Sequence, residues 1–197
     1  NFSKIITIVE CWVLCPIMSC ILSYFLYRGL RFWLRNMKST KVAERILMWG
    51  VLVSASYAAY SLGANNLGNA IGPIVVLDVV DFVLLTVLGS LSMAVGALTF
   101  GRGVAETVGK SITKLDLPGA FSAQVSAAFG LHFFSMIGIP VSTSQAIVGS
   151  VLGVGLVHGT RTVSKRKLVE IVVGWVATPL ISGSVAFAVY TLIMRFG

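Results

Sequence analysis

The chain has 197 residues, of which 56% are hydrophobic and 11% charged, well under half the charged share of an ordinary soluble domain. That balance excludes a water-soluble enzyme or regulatory domain and describes a protein that lives in lipid. The formal charge of +8 does not indicate a nucleic-acid partner, because the basic residues stand between apolar runs, as juxtamembrane residues do.

Residues 5–27 have the length of one membrane span, with Pro16 as a candidate kink and Glu10 as an interfacial carboxylate near its start. Cys11, Cys15 and Cys20 lie within this run. Their spacing fits neither a zinc nor a redox motif, so they read as small apolar packing residues. Residues 28–45 interleave Arg28, Arg31, Arg35, Lys38, Lys41 and Arg45 with Leu30, Phe32, Trp33, Leu34 and Met37, which predicts an amphipathic element lying on the membrane surface. Residues 46–77 are too long for one straight crossing and contain Gly63–Pro73, with three asparagines and three glycines. The run is expected to divide there. Asp78 and Asp81 precede the next apolar run, 82–100, and mark a solvated turn more readily than a cation site. Residues 101–119 are polar, and Val104, Val108, Ile112 and Leu115 have the spacing of a surface helix.

Residues 120–157 form a second broken run, a hairpin interrupted at Gly138-Ile139-Pro140 and restarting with Val141-Ser142-Thr143-Ser144-Gln145. Pro140 is expected just inside the new helix, and Gly149, Gly153 and Gly155 are expected to permit close packing. His132 reads as a packing histidine. A last span covers 168–194, with Gly174 and Pro179 as expected bends. If both broken runs return to the side they left, loops 28–45, 101–119 and 158–167 share one face. All three are net basic, so that face is the cytoplasmic one.

Every Lys and Arg falls outside or at the edge of an apolar run. An anion inside the bilayer must then be held by neutral donors, and helix N-termini and hydroxyls supply them. Ser142, Thr143 and Ser144 occupy such a helix start, although the same cluster also suits a plain N-cap. On a helix, Asn65, Asn66 and Asn69 share one face. With Thr143 their oxygens suit a small hard cation that would offset the cost of burying the anion's charge. No nucleophile–base pair or metal-ligand cluster is visible, and His132 and His158 have no acidic partner in view. No catalytic residue and no enzymatic activity are therefore expected.

These residues carry a resemblance. Gly63-Ala-Asn-Asn-Leu-Gly-Asn-Ala-Ile-Gly72 resembles the Gly-Ala-Asn-Asp motif of the inorganic phosphate transporter (PiT) family. Ile139-Pro-Val-Ser-Thr-Ser-Gln-Ala-Ile-Val-Gly149 resembles that family's Pro-x-Ser-Thr-Thr-His-x-x-Val-Gly motif. Residues 100–113 and 118–123 are similar to the segment between the two. The resemblance implies an all-α polytopic transmembrane bundle with discontinuous helices and helical hairpins, here a single domain over 1–197 that is the C-terminal one of two inverted repeats. The N-terminal repeat would lie in the rest of a longer polypeptide. It implies a multi-pass plasma-membrane (cell inner membrane) symporter with inorganic phosphate, sodium and the lipid bilayer as partners. A homodimer is compatible with it but not legible. Asn65, Asn66, Ser142, Thr143 and Ser144 would contact phosphate, and Asn65, Asn66, Asn69 and Thr143 would hold the co-transported sodium ion. Asn66 stands where the family has Asp, and Gln145 where it has His. The first departure removes a discriminator against sulfate and the second weakens a proton relay at that position; a proton-coupled phosphate permease and a sulfate permease of the same family stay open as alternatives. A non-transporting anion receptor or structural subunit is the alternative of another class.

Overall fold

The computed structural model describes residues 2–37, 39–111, 115–159 and 163–196. Among them are six α-helices and no strand: α1 Phe2–Arg35, α2 Thr40–Val75, α3 Phe82–Ser111, α4 Leu117–Met136, α5 Thr143–His158 and α6 Lys165–Phe196. Among the described residues four stretches are long and apolar enough to cross a membrane: Ile6–Arg35, Thr40–Val75, Phe82–Gly103 and Lys165–Arg195. Contacts divide the chain into two compact units, Asn1–Val163 and Ser164–Gly197. The second consists of α6, a single apolar helix that carries Pro179 inside it.

Three expectations about where elements begin and end are corrected first. The amphipathic surface element over 28–45 does not exist as a separate piece. Residues 28–35 continue α1, a turn follows at Asn36, and α2 begins at Thr40. Leu, Arg, Phe and Trp are all tolerated in a helix, so nothing in the stretch stops α1 before its natural end. The surface helix over 101–119 is likewise absorbed, since α3 runs through Ser111 and Asp116 starts α4. Within that predicted pattern Ile112 and Lys114 lie outside the described residues, as do Lys38 and Arg161 in the other basic loops.

The third correction concerns Gly63–Pro73, where α2 is unbroken. Each glycine costs a helix only about 1 kcal/mol relative to alanine and asparagine costs less, so neither ends it. Pro73 sits in the final turn, where the bond it cannot donate is lost near a terminus and the helix stops two residues later. The glycines leave open space instead, since a Cβ at Gly63, Gly68 or Gly72 would meet nothing within 4 Å. Gly63, Gly68 and Gly72 line a cleft of about 620 Å³ between α2 and α3. On α3, a Cβ at Gly89 would come within 2.8 Å of Leu67 and 2.9 Å of Ile71. The turn beyond α2 is the solvated one expected. Asp78 is exposed with φ 51°, and Asp81 caps α3, its Oδ1 accepting the N–H groups of Val83 and Leu84 at 3.0 Å each.

The predicted break in the second run is real. Gly138 adopts φ 73°, its N–H donates to Ser135 O, and the N–H of Ile139 donates to Phe134 O. That pair of bonds is a Schellman ending for α4. Pro140 does not open the next helix. It lies in the connection, where Trp12 Nε1 donates to its carbonyl at 3.3 Å, and Ser142 is the N-cap of α5.

Within the first unit, α1 packs on both arms of the α4–α5 hairpin, α2 packs on α4, and α3 packs on α2. The core gathers Cys11, Cys15, Ala127, Leu131, Phe134, Val141 and Ala146. The three cysteines are free thiols, in keeping with a packing role. Small residues let α1 and α5 close up. A Cβ on Gly149 would strike the backbone of Pro16, and one on Gly153 would strike Cys20 O and Ser23 Oγ. Ser23 Oγ donates across this seam to Ser150 O at 2.7 Å. His132 packs against Tyr57 and Tyr60, its ring tilted to both and 5.7 Å from each.

Candidate functional site

The helical spacing of α2 turns Asn65 toward the hairpin connection, where it is 5% exposed. Its Nδ2 donates to Val141 O at 2.9 Å, and Val141 N donates to its Oδ1 at 3.4 Å. One side-chain amide thus satisfies both backbone groups of a residue that lies between two helices and has no ladder of its own. Ser135 Oγ reaches the same Oδ1 at 3.5 Å. Asn65 Nδ2 also donates to Asn66 Oδ1 at 3.1 Å, and Thr143 Oγ1 donates to that oxygen at 3.1 Å. Asn65, Asn66 and Thr143, widely separated in sequence, therefore form one hydrogen-bonded cluster at the tip of the hairpin.

Ser142 and Ser144 stand beside it with their hydroxyls 3.0 Å apart. Ser142 Oγ accepts the Gln145 N–H at 3.4 Å as the N-cap of α5. The N–H groups of Thr143 and Ser144 head the same helix and have no partner among the described residues. Asn69 is placed differently. It is exposed one turn beyond Asn65 and makes no side-chain hydrogen bond among the described residues.

The chemistry of the cluster is asymmetric. The oxygens of Asn65 and Asn66 each accept two internal donors, while Asn66 Nδ2, the two helix-end N–H groups and one hydroxyl of the Ser142–Ser144 pair remain as donors. A neutral, donor-rich helix start suits an oxyanion. Gln145 adds a carbonyl oxygen that is buried without a partner among the described residues. Sequence reasoning missed Ser135 and the backbone of Val141. Nothing in a valine announces that its peptide groups need an amide, and Ser135 takes its place through the Schellman ending of α4.

A second polar cluster joins α1, α4 and α5 at the other end of the hairpin. Tyr27 Oη donates to Asp116 Oδ2 at 2.8 Å and lies 2.7 Å from His158 Nε2. Asp116 Oδ1 accepts the Gly119 N–H at 2.9 Å as the N-cap of α4. His158 does have an acidic neighbour, linked through a buried tyrosine that sequence spacing did not reveal. This cluster also brings the connections following α1 and α5 and preceding α4 to one end of the unit, as the loop charges required.

A family profile described as "Phosphate transporter family" matches residues 1–186. A protein of Methanocaldococcus jannaschii named as a phosphate permease is 33% identical over 184 residues, covering 92% of this chain and 58% of its own length. The sulfate permease CysP of Bacillus subtilis is 30% identical over 194 residues, covering 98% of this chain and 54% of its own length. The chain thus spans rather more than half the length of these two relatives. A solved structure described as "The sodium-dependent phosphate transporter" superposes with a TM-score of 0.75 at 22% identity, covering 90% of this chain and 63% of that one. That likeness establishes the fold. These relatives are named as permeases or transporters, not as enzymes.

Proposed function

This chain belongs to the phosphate transporter family, and we propose that it is one of two inverted repeats of a plasma-membrane symporter that carries inorganic phosphate with sodium by alternating access. The observation that carries this reading is the hairpin tip. There the Thr143 and Ser144 N–H groups, one hydroxyl of the Ser142–Ser144 pair and Asn66 Nδ2 are available as donors beside a closed amide cluster. Phosphate binds these donors with the positive end of the α5 dipole behind them. Asn65 is a positioning residue, since it fixes Val141 and through it the start of α5. Sodium takes the oxygens of Asn65, Asn66 and Thr143 in exchange for their internal donors, and Asn69 joins from the next turn. The superposed transporter is described as sodium-dependent, which supports sodium as the coupling ion.

A second reading, sulfate transport, rests on a specific observation. Asn66 Oδ1 is held by Asn65 and Thr143, which leaves its NH2 group as the free end. An amide turned this way donates to an oxyanion but cannot accept the proton of hydrogen phosphate, as a carboxylate there would. Sulfate carries no such proton, and one relative of this chain is named as a sulfate permease. Neither Asn66 nor Gln145 titrates, so neither can serve proton coupling.

The deciding experiment is counterflow in proteoliposomes holding the intact polypeptide. Phosphate exchange that requires sodium, with sulfate competing weakly, is the expected result. Sulfate exchange that phosphate does not inhibit supports the second reading. Anion binding without any counterflow makes the protein a receptor and overturns both.

A further inference from the structure

Arg28, Arg31 and Arg35 form one stripe on α1. They line a groove of about 590 Å³ whose walls include Phe32, Pro118 and Val157, where α1 passes the start of α4 and the end of α5. All three arginines are exposed, and none pairs with a carboxylate among the described residues. Arg28 Nη1 donates to Tyr24 Oη at 3.1 Å, and the Arg31 guanidinium lies 5.7 Å from the centre of the Tyr27 ring. The carboxylate in the groove lining, Asp116, already has a donor on each oxygen, Tyr27 on one and Gly119 on the other. Three guanidiniums therefore face the groove against one carboxylate that is engaged elsewhere.

Depth identifies the occupant. From Ile6 to Arg28 the helix rises about 33 Å, close to the roughly 30 Å of a hydrocarbon core. The arginines thus begin where the headgroups lie. A guanidinium matches a phosphate oxygen pair in shape and charge. The apolar walls match a glycerol backbone and the first carbons of an acyl chain, which a small soluble anion would leave wet. We propose that this groove binds the phosphodiester headgroup of an anionic phospholipid, with Arg28 and Arg35 as its principal ligands. The lipid then bridges the three elements that Tyr27, Asp116 and His158 already tie together. The site is separate from the hairpin tip, and its presence does not depend on which anion is carried there.

Native mass spectrometry of the intact polypeptide in mild detergent, with added phosphatidylglycerol or phosphatidylcholine, tests this. Phosphatidylglycerol adducts should persist and phosphatidylcholine adducts should not. Arg28→Gln with Arg35→Gln should lower occupancy about tenfold or more, the paired Lys substitutions should retain most of it, and Lys41→Gln, exposed outside the groove lining, should leave it unchanged. The substituted arginines are exposed, so the variants should fold. Equal retention of the two lipids, no loss in the Gln pair, or an equal loss with Lys41→Gln overturns the proposal. Displacement by glycerol 3-phosphate or inorganic phosphate overturns it too, by making the groove a site for soluble anions.

Discussion

Asn65 gives both ends of its amide to Val141 and a further donor bond to Asn66, so the hairpin tip is fixed by one side chain from another helix. Thr143 completes the arrangement through its hydroxyl. Thr143→Val keeps the shape and removes that donor, while Asn66 Oδ1 still accepts from Asn65. The stability cost is then about 1 kcal/mol, whereas phosphate uptake by proteoliposomes should fall about tenfold or more, because the substitution removes the hydroxyl that ties Asn66 to the start of α5 and an oxygen proposed for sodium. Uptake equal to that of the unsubstituted protein would remove Thr143 from the site. The partnership of the Asn pair with Thr143 was legible because asparagines at helical spacing and a hydroxyl cluster each interrupt apolar sequence. The internal direction of their bonds was not. Sequence cannot tell that Asn66 turns its oxygen inward, because that depends on a neighbour 77 positions away.

The continuity of α2 shows how far composition misleads once a helix is packed. Glycine and asparagine signal a loop in water, but in α2 they remain helical, and the glycines line an open cleft beside α3. After Met136 the chain does break, at Gly138, whose φ of 73° suits glycine. The same logic separates glycines by consequence. Gly153→Val drives a side chain into Cys20 O and Ser23 Oγ and should cost about 1–3 kcal/mol or more, seen as a lower Tm in detergent and loss of a monodisperse peak. Gly29→Ala meets open space inside α1 and should preserve or raise Tm. If both substitutions behave alike, the α1–α5 seam is not as tight as described.

The basic connections were the most legible large-scale feature, because charge asymmetry is written directly in the chain. The Tyr27–Asp116–His158 cluster unites them at one end of the first unit. Asp78 lies beyond the far end of α2, about 54 Å of helix away. A cysteine introduced at Asn36 should accordingly react with an impermeant maleimide only from the cytoplasmic face, and one at Asp78 only from the opposite face. Labelling of both from one side would break the topology. The native thiols leave the readout clean, since Cys11 and Cys15 are buried and Cys20 is half-buried. The clasp between α2 and the hairpin then has a thermodynamic corollary. The groups that would receive cargo are the ones that hold the tip still. Any ion that drew the Thr143 hydroxyl away from Asn66 would gain less affinity by the worth of that bond, and it would loosen the hairpin tip by the same amount. Loading at the proposed site would then be coupled to mobility through a single shared hydroxyl.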